Sequence, residues 1–268
     1  MNYLNIDSLN GEAGGWTNYL WTAGSGISLD LSSESYIVLR DGIDGFSGTS
    51  ADYHTAQSPN RMRHVLRQSA HAPREFGFVV LIRASDHADL MQKRKILLDA
   101  FSAGYGDGVL QKLLPGVGTV TITARSVRGY PDIRGGLPPG SLARSQEVTV
   151  RLVAHDPYWY GPVLRQTAVG GLCTVQNAGN AELTPCRMRV AANVVTNTTT
   201  GQTLYARSGQ TIVGAVVDIT DTGVTAELDG ANALGRFAYD SQFPMLAPGT
   251  NVISGVEWVE FRPRWEGV

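Results

Sequence analysis

The sequence predicts a mostly β chain with one main helix, a β-rich α+β fold, and three observations predict it. Glycine (31 residues) and proline (12) punctuate the chain at short intervals. Between them stand short runs that alternate apolar and polar residues, the pattern of half-buried strands. Only residues 86–101 carry apolar side chains at helical spacing. A chain of 268 residues has room for two ordinary domains, each able to bury its own core.

In the first half, strands are expected at residues 16–21, 36–39, 61–68 and 75–83. In the last of these, Phe76, Phe78, Val80 and Ile82 share one face while Val79 and Leu81 make the other apolar, which predicts a strand covered on both sides. The helix follows, with Ser85 or Asp86 as N-cap and Gly104 as a stop. Leu90, Met91, Leu97, Leu98 and Phe101 form a stripe that can pack on a sheet. Arg94 falls inside that stripe, so either its stem lies on the core with the head snorkelling out, or the stripe meets another subunit. Strands resume at residues 108–114, at 119–128 with Val120, Ile122 and Ala124 alternating, and at 146–154 with Val148, Val150, Leu152 and Ala154 alternating. Residues 129–140 are too rich in glycine and proline for regular structure and read as a long exposed loop. Composition shifts at His155-Asp-Pro-Tyr-Trp-Tyr-Gly-Pro162, which sets expected domains at 1–161 and 162–268. Beyond it, short strands separated by turn signals such as Asn177-Ala-Gly-Asn180 and Ala247-Pro-Gly-Thr-Asn251 predict an antiparallel β-sandwich.

Charged residues make up 17% of the chain and the net charge is −2, so nothing in the global balance points to a polyanion or a membrane surface. Arg61, Arg63, Arg67, Arg74 and Arg83, with His64 and His71 interleaved, form a basic stretch without a lysine cluster. Salt bridges between subunits account for it better than nucleic acid, because arginine is favoured at protein interfaces. No stretch has the ~18 apolar residues of a membrane span, and residues 1–15 lack a basic and apolar leader pattern. Synthesis and assembly in a cytoplasm are therefore expected. Cys173 and Cys186 match no ligand spacing and are expected to be reduced, half-buried small hydrophobes.

Signatures of catalysis are missing from the sequence. The five histidines form no HExxH pattern, and Gly45-Phe-Ser-Gly48 lacks the register of a nucleophile elbow. Gly104-Tyr-Gly-Asp-Gly108 follows a helix, where a phosphate cradle must open one, and reads as helix stop plus turn. Asp218, Asp221, Glu227 and Asp229 fit solvated turns and edges as well as they fit a carboxylate pair. Asn197-Thr-Thr has the form of a glycosylation acceptor but reads as a turn. The strongest chemistry on offer is a sugar-stacking platform from Tyr205, Phe237, Tyr239, Phe243 and Trp258. Against it, strict alternation puts Trp258 on one face with Val256, Glu260 and Arg262, where packing explains it equally well. No enzyme activity, cofactor or metal is expected.

A strand closing in Leu152-Val-Ala-His-Asp-Pro-Tyr-Trp-Tyr160, after a helix-bearing β domain and before a β-sandwich, resembles the distal tail protein family of siphophages, the Dit-like baseplate hubs. Arg40-Asp-Gly-Ile-Asp-Gly-Phe46, Gln176-Asn-Ala-Gly-Asn-Ala-Glu-Leu-Thr-Pro185 and Leu246-Ala-Pro-Gly-Thr-Asn-Val-Ile253 extend the resemblance over nearly the whole chain. It implies a first domain that builds a hexameric ring and a second domain similar to galectins in fold. The ring would be a hub joining the tail tube protein to a tail-associated lysin or spike protein and to a receptor-binding protein. It would sit at the virion tail tip after assembly in the host bacterial cytoplasm. Galectin sugar-binding residues are not recognised in the second domain, and no large insertion offers room for a carbohydrate-binding module. The expectation is thus a structural hub. The alternative is a carbohydrate-binding β-sandwich module used in host-surface attachment. Arg94, Asp156, Pro157, Tyr158, Trp159, Tyr160 and Trp258 are the expected interdomain or intersubunit contacts.

Overall fold

A computed structural model describes residues 19–45, 51–57, 64–114, 116–127, 131–134, 143–221 and 223–266. The chain forms two compact units, residues 1–45 with 75–155, and residues 46–74 with 156–268. In chain order the first ten strands are β1 (Tyr19–Thr22), β2 (Ser28–Asp30), β3 (Tyr36–Asp44), β4 (Ala51–Gln57), β5 (His64–His71), β6 (Arg74–Arg83), β7 (Gly108–Leu114), β8 (Gly118–Ser126), β9 (Asp132–Arg134) and β10 (Ser145–Ala154). Helix α1 (His87–Ala100) lies between β6 and β7.

The first unit is a sheet of order β2-β1-β7-β8-β10-β6-β3, with β9 pairing the start of β10 where β8 pairs its end. On β6, Phe76, Phe78, Val80 and Ile82 are all at most 4% exposed and Val79 is 3% exposed, so both faces are covered as expected. The residue 129–140 stretch is not wholly irregular: Asp132–Arg134 is a strand, while residues 129–130 and 135–140 lie outside the described residues. Phe46, Ser47 and Gly48 also lie outside them, as do Trp16, Arg61 and Arg63.

Helix α1 begins at Asp86, whose carboxylate accepts from the Asp89 backbone N–H at 2.9 Å. Asp89 answers by accepting from the Ser85 backbone N–H at 2.8 Å and pairing with Lys93 at 3.0 Å, which holds its carboxyl below the usual range. Leu90, Leu97, Ala100 and the closing residue Phe101 are buried. Trp21 stacks on Phe101 with ring centroids 4.8 Å apart and donates its indole N–H to the Ala100 carbonyl at 2.8 Å. Tyr36 donates its hydroxyl to the Lys93 carbonyl at 3.0 Å. These bonds turn the helix toward its Ala100 and Lys93 side. At 100° per residue, Arg94, Leu98 and Met91 then lie roughly 40°, 80° and 100° away from Leu90 on the opposite flank. Met91 is accordingly 43% exposed and Leu98 only half-buried, so the apolar stripe is narrower than its sequence spacing predicts. The helix also ends at Ala100, before Gly104, which sits in the short 3-10 turn Ala103–Tyr105.

The remaining strands are β11 (Trp159–Tyr160), β12 (Leu164–Thr167), β13 (Leu172–Asn177), β14 (Cys186–Val190), β15 (Val194–Asn197), β16 (Thr203–Tyr205), β17 (Val216–Thr220), β18 (Gly223–Leu228), β19 (Ala231–Asn232), β20 (Gly249–Ser254), β21 (Val256–Phe261) and β22 (Arg264–Trp265). Of these, β12 to β21 build two antiparallel sheets, β13-β20-β15-β16 and β12-β21-β14-β17-β18-β19. Cys173, Val175, Val195, Leu204 and Ile253 from the first meet Cys186, Met188, Val217, Val259 and Phe261 from the second in one buried core, which makes this unit a β-sandwich. Both cysteines are free thiols inside that core. The hairpin β4–β5 stands as a two-stranded sheet of its own, paired from Ala51↔His71 to Gln57↔His64.

Candidate assembly surfaces

The segment Asp156-Pro-Tyr-Trp-Tyr160 is anchored to the end of the chain. Trp159 pairs with Trp265 and Tyr160 with Arg264 across β11 and β22, and the Gly161 N–H donates to the Pro263 carbonyl at 2.8 Å. Pro157 cannot extend a strand and is buried, as are Tyr158 at 6% and Trp159 at 0% exposed. Asp156 is exposed yet ordered, because it accepts the Tyr160 hydroxyl at 2.7 Å and the Tyr158 N–H at 3.3 Å.

Two arginines lie over the tyrosine rings of this segment, Arg264 over Tyr158 at 4.3 Å and Arg262 over Tyr160 at 5.1 Å. Arg264 is only 4% exposed. Its charge is met by Asp221 at 2.7 Å, and its Nε donates to the Leu183 carbonyl at 2.8 Å, with Nη2 on the same oxygen. The backbone of Arg264 accepts from the N–H groups of Asn180 and Ala181, and the Trp265 indole donates to Ala178 at 3.1 Å. A Cβ on Gly179 would stand 2.3 Å from the Arg264 carbonyl, so glycine is required for the chain to pass there.

Burial pushes the Tyr158 hydroxyl up to about 12, partly opposed by Arg264, and it also raises Tyr160, with the Asp156 hydrogen bond adding to the rise. Burial likewise pushes the Cys186 thiol up to about 12. All three groups are held neutral in the fold while the unfolded chain ionises them at lower pH. Their stabilisation is complete below about pH 8.5, where the unfolded thiol begins to ionise. It is lost as pH rises toward 12. Thermal melts should show a progressive fall between pH 9 and 11, about one unit apart in pH. Cys186→Ala should make that fall smaller, leaving the part due to the tyrosines and to the Cys173 thiol, which burial also raises, and a flat profile to pH 11 would contradict it.

The two further motifs of the second unit fold onto each other. Asn177 donates to the carbonyls of Ala247 at 3.1 Å and Leu246 at 3.5 Å, and to the Thr184 hydroxyl at 3.1 Å. Its own carbonyl accepts the Gly179 N–H at 3.1 Å. Asn251 closes the Ala247–Gly249 turn from inside, accepting the Ala247 N–H at 3.0 Å and donating to the Ala247 and Gly249 carbonyls. Asn197 completes the layer by donating to Asn251 at 3.2 Å and to the Met245 carbonyl at 2.8 Å. Asn197 is 0% exposed, so the Asn197-Thr-Thr tripeptide serves as a turn with a buried amide.

The outer faces of the sandwich differ in chemistry. On the six-stranded sheet, Arg165, Glu260, Arg187 and Asp218 are successive cross-strand neighbours, and Arg189 pairs with Glu257 at 3.2 Å. Open clefts of about 370 and 440 Å³ on this face share Arg187 and Asp218 in their walls. On the four-stranded sheet, the outward residues of β13 and β20 are Leu172, Thr174, Gln176, Thr250, Val252 and Ser254. Those of β15 and β16 are Val194, Thr196, Thr203 and Tyr205. Not one of these ten is charged.

Sequence alternation misplaced some aromatics. A register shift opposite Val190 inserts Glu257 as an extra residue, so Val256 turns inward at 2% exposed while Trp258 and Glu260 point outward. The Trp258 ring is half-buried with the Arg165 guanidinium 3.9 Å above it. Phe237 is buried and packs on Phe243 at 5.6 Å, which removes both from a surface platform. Tyr205 and Tyr239 remain exposed, Tyr239 at 93%. Arg94 lies half-buried on α1 and Arg74 is 5% exposed. Among the described residues no group of three or more His, Cys, Asp or Glu side chains is placed to hold a metal ion, and Asp221 is spoken for by Arg264.

A single-helix β unit in one chain with a six-on-four-stranded sandwich, the short β11–β22 pair closing the segment before it onto residues 264–265, defines a class of two-unit β-rich protein without an evident catalytic centre among the described residues. That architecture is the fold of the SPP1 Dit protein, described as a paradigm of hub adsorption apparatus in Gram-positive-infecting phages. The two match with a TM-score of 0.59 over 93% of this chain and 99% of that one, at 15% identity. Chains of the activated phage p2 baseplate, with Sr and with Ca, match at TM-score 0.42 and 10% identity, over 93% and 95% of this chain and 98% and 100% of theirs. The sequence matches no protein-family model and no curated protein.

Proposed function

We propose that the protein is a structural virion component, a distal tail hub whose copies form a hexameric ring at the phage tail tip. The ring joins the tail tube to a tail-associated lysin or spike protein and to a receptor-binding protein, and it performs no catalysis. What carries this reading is the fold likeness to the SPP1 hub, which runs through both units and nearly the full length of each chain. The hairpin β4–β5 supports self-assembly, because an isolated two-stranded sheet is marginal in water and gains from a neighbour. The low charged fraction suits a surface shared between subunits. For the half-buried Arg94 and Trp258, contact with adjoining copies is proposed.

Light scattering of the purified protein should give a mass about six times the 28.8 kDa chain, alone or after addition of the tail tube protein. Negative-stain images should show sixfold rings. A strict monomer under both conditions would overturn the proposal.

A further inference from the structure

We propose that the outer face of the β13-β20-β15-β16 sheet is a docking surface for the same face of a second copy of this chain. It is the charge-free face of a sandwich whose opposite face carries seven charged side chains on β12, β21, β14, β17 and β18. Interface cores are depleted in charge, whereas exposed surfaces ordinarily are not.

Several of the polar groups on this face are already bonded within the sheet. Thr250 donates its hydroxyl to the Gln176 carbonyl oxygen at 2.7 Å, the hydroxyls of Thr196 and Thr203 share a hydrogen bond at 3.4 Å, and Ser254 donates to the Thr196 carbonyl at 3.5 Å. Covering them therefore strips little hydrogen bonding from water, and the apolar Leu172 at 50%, Val194 at 48% and Tyr205 at 40% exposed gain from being covered. Charge complementarity selects the occupant. The arginine and carboxylate face of the same sandwich would lose its hydration against this surface without gaining a partner. An uncharged sheet face matches, and the chain itself supplies one. The contact is then isologous, sheet on sheet, with rows of threonine and valine interdigitating.

Its strength follows from its size. Strands of six, six, four and three residues, 4.8 Å apart and rising 3.4 Å per residue, give about 300 Å² per copy, well under half the area each partner gives to a stable interface. Pairing should thus be weak between single chains and strong between assemblies that present the face several times.

Sedimentation velocity of the full chain from roughly 10 to 500 μM should show its mass, or the mass of its ring, doubling with concentration. The double variant Thr174→Lys, Val194→Lys places like charges on both sides of the contact and should abolish the doubling, while Thr225→Lys on the opposite face preserves it. Neither substituted residue takes part in the hydrogen bonds named above, and unchanged circular-dichroism melts confirm that the fold is intact. If the double variant melts early, Thr174→Lys alone provides the comparison. No doubling at the highest concentration, or doubling that survives the lysines, would sink the proposal. Ring formation is a separate readout: doubling without sixfold rings would refute the hub and leave this contact standing.

Discussion

Asn251→Leu should destabilise the second unit by about 3–5 kcal/mol, measured by urea unfolding followed by circular dichroism. The side chain is 0% exposed and makes four bonds, with the Ala247 N–H and carbonyl, the Gly249 carbonyl and the Asn197 amide. Leucine keeps the volume but leaves those groups buried without partners, at about 1–3 kcal/mol for each that water cannot reach. Asn251→Asp is the sharper control. It keeps the acceptor for the Ala247 N–H but turns the donor end into a second acceptor facing two carbonyl oxygens, so it too should be strongly destabilising. Near-wild-type stability of both variants would show that the layer is hydrated rather than sealed.

Arg264→Met should cost about 2–4 kcal/mol, which for a chain of this size lowers the melting temperature by roughly 5–15 °C. Methionine preserves the buried stem and removes the fork that reaches Leu183 and Asp221 and covers Tyr158. The cost falls mainly on the Leu183 carbonyl, since Asp221 is 51% exposed and recovers water when its partner goes. Asp221→Asn should therefore cost far less, under about 1 kcal/mol. Equal effects from the two substitutions would mean that the ion pair, not the carbonyl contact, carries the stabilisation.

Much of the architecture was legible in local pattern. The period-2 runs at Phe76–Ile82 and Val148–Ala154 place their apolar faces correctly, because burial of a strand face leaves a mark within a few residues. Asp86 was one of two expected N-caps for the same reason. Errors arose where a neighbour distant in sequence intervenes. Met91 was expected on the packed stripe, but Trp21 and Tyr36 draw the helix around toward Ala100 and Lys93. Trp258 was placed beside Val256, but β14 pairs with β21 through an extra residue, and no feature within β21 announces that bulge. Arg264 carries no local signal of burial in its sequence, and it is 4% exposed because Leu183, Asp221 and Tyr158, all distant along the chain, close around it.

The sequence by itself determined the β-rich class, the single helix and the sandwich after the Asp156-Pro-Tyr-Trp-Tyr160 segment. Each is written in side-chain periodicity, capping or turn chemistry that operates over a few residues. Only the tertiary structure decided that Asn177 reaches a turn 70 residues away, that Arg264 is buried, and that one sandwich face gathers charge while the other has none. Those properties depend on strand order and register, and neither is fixed until segments far apart in the chain pair.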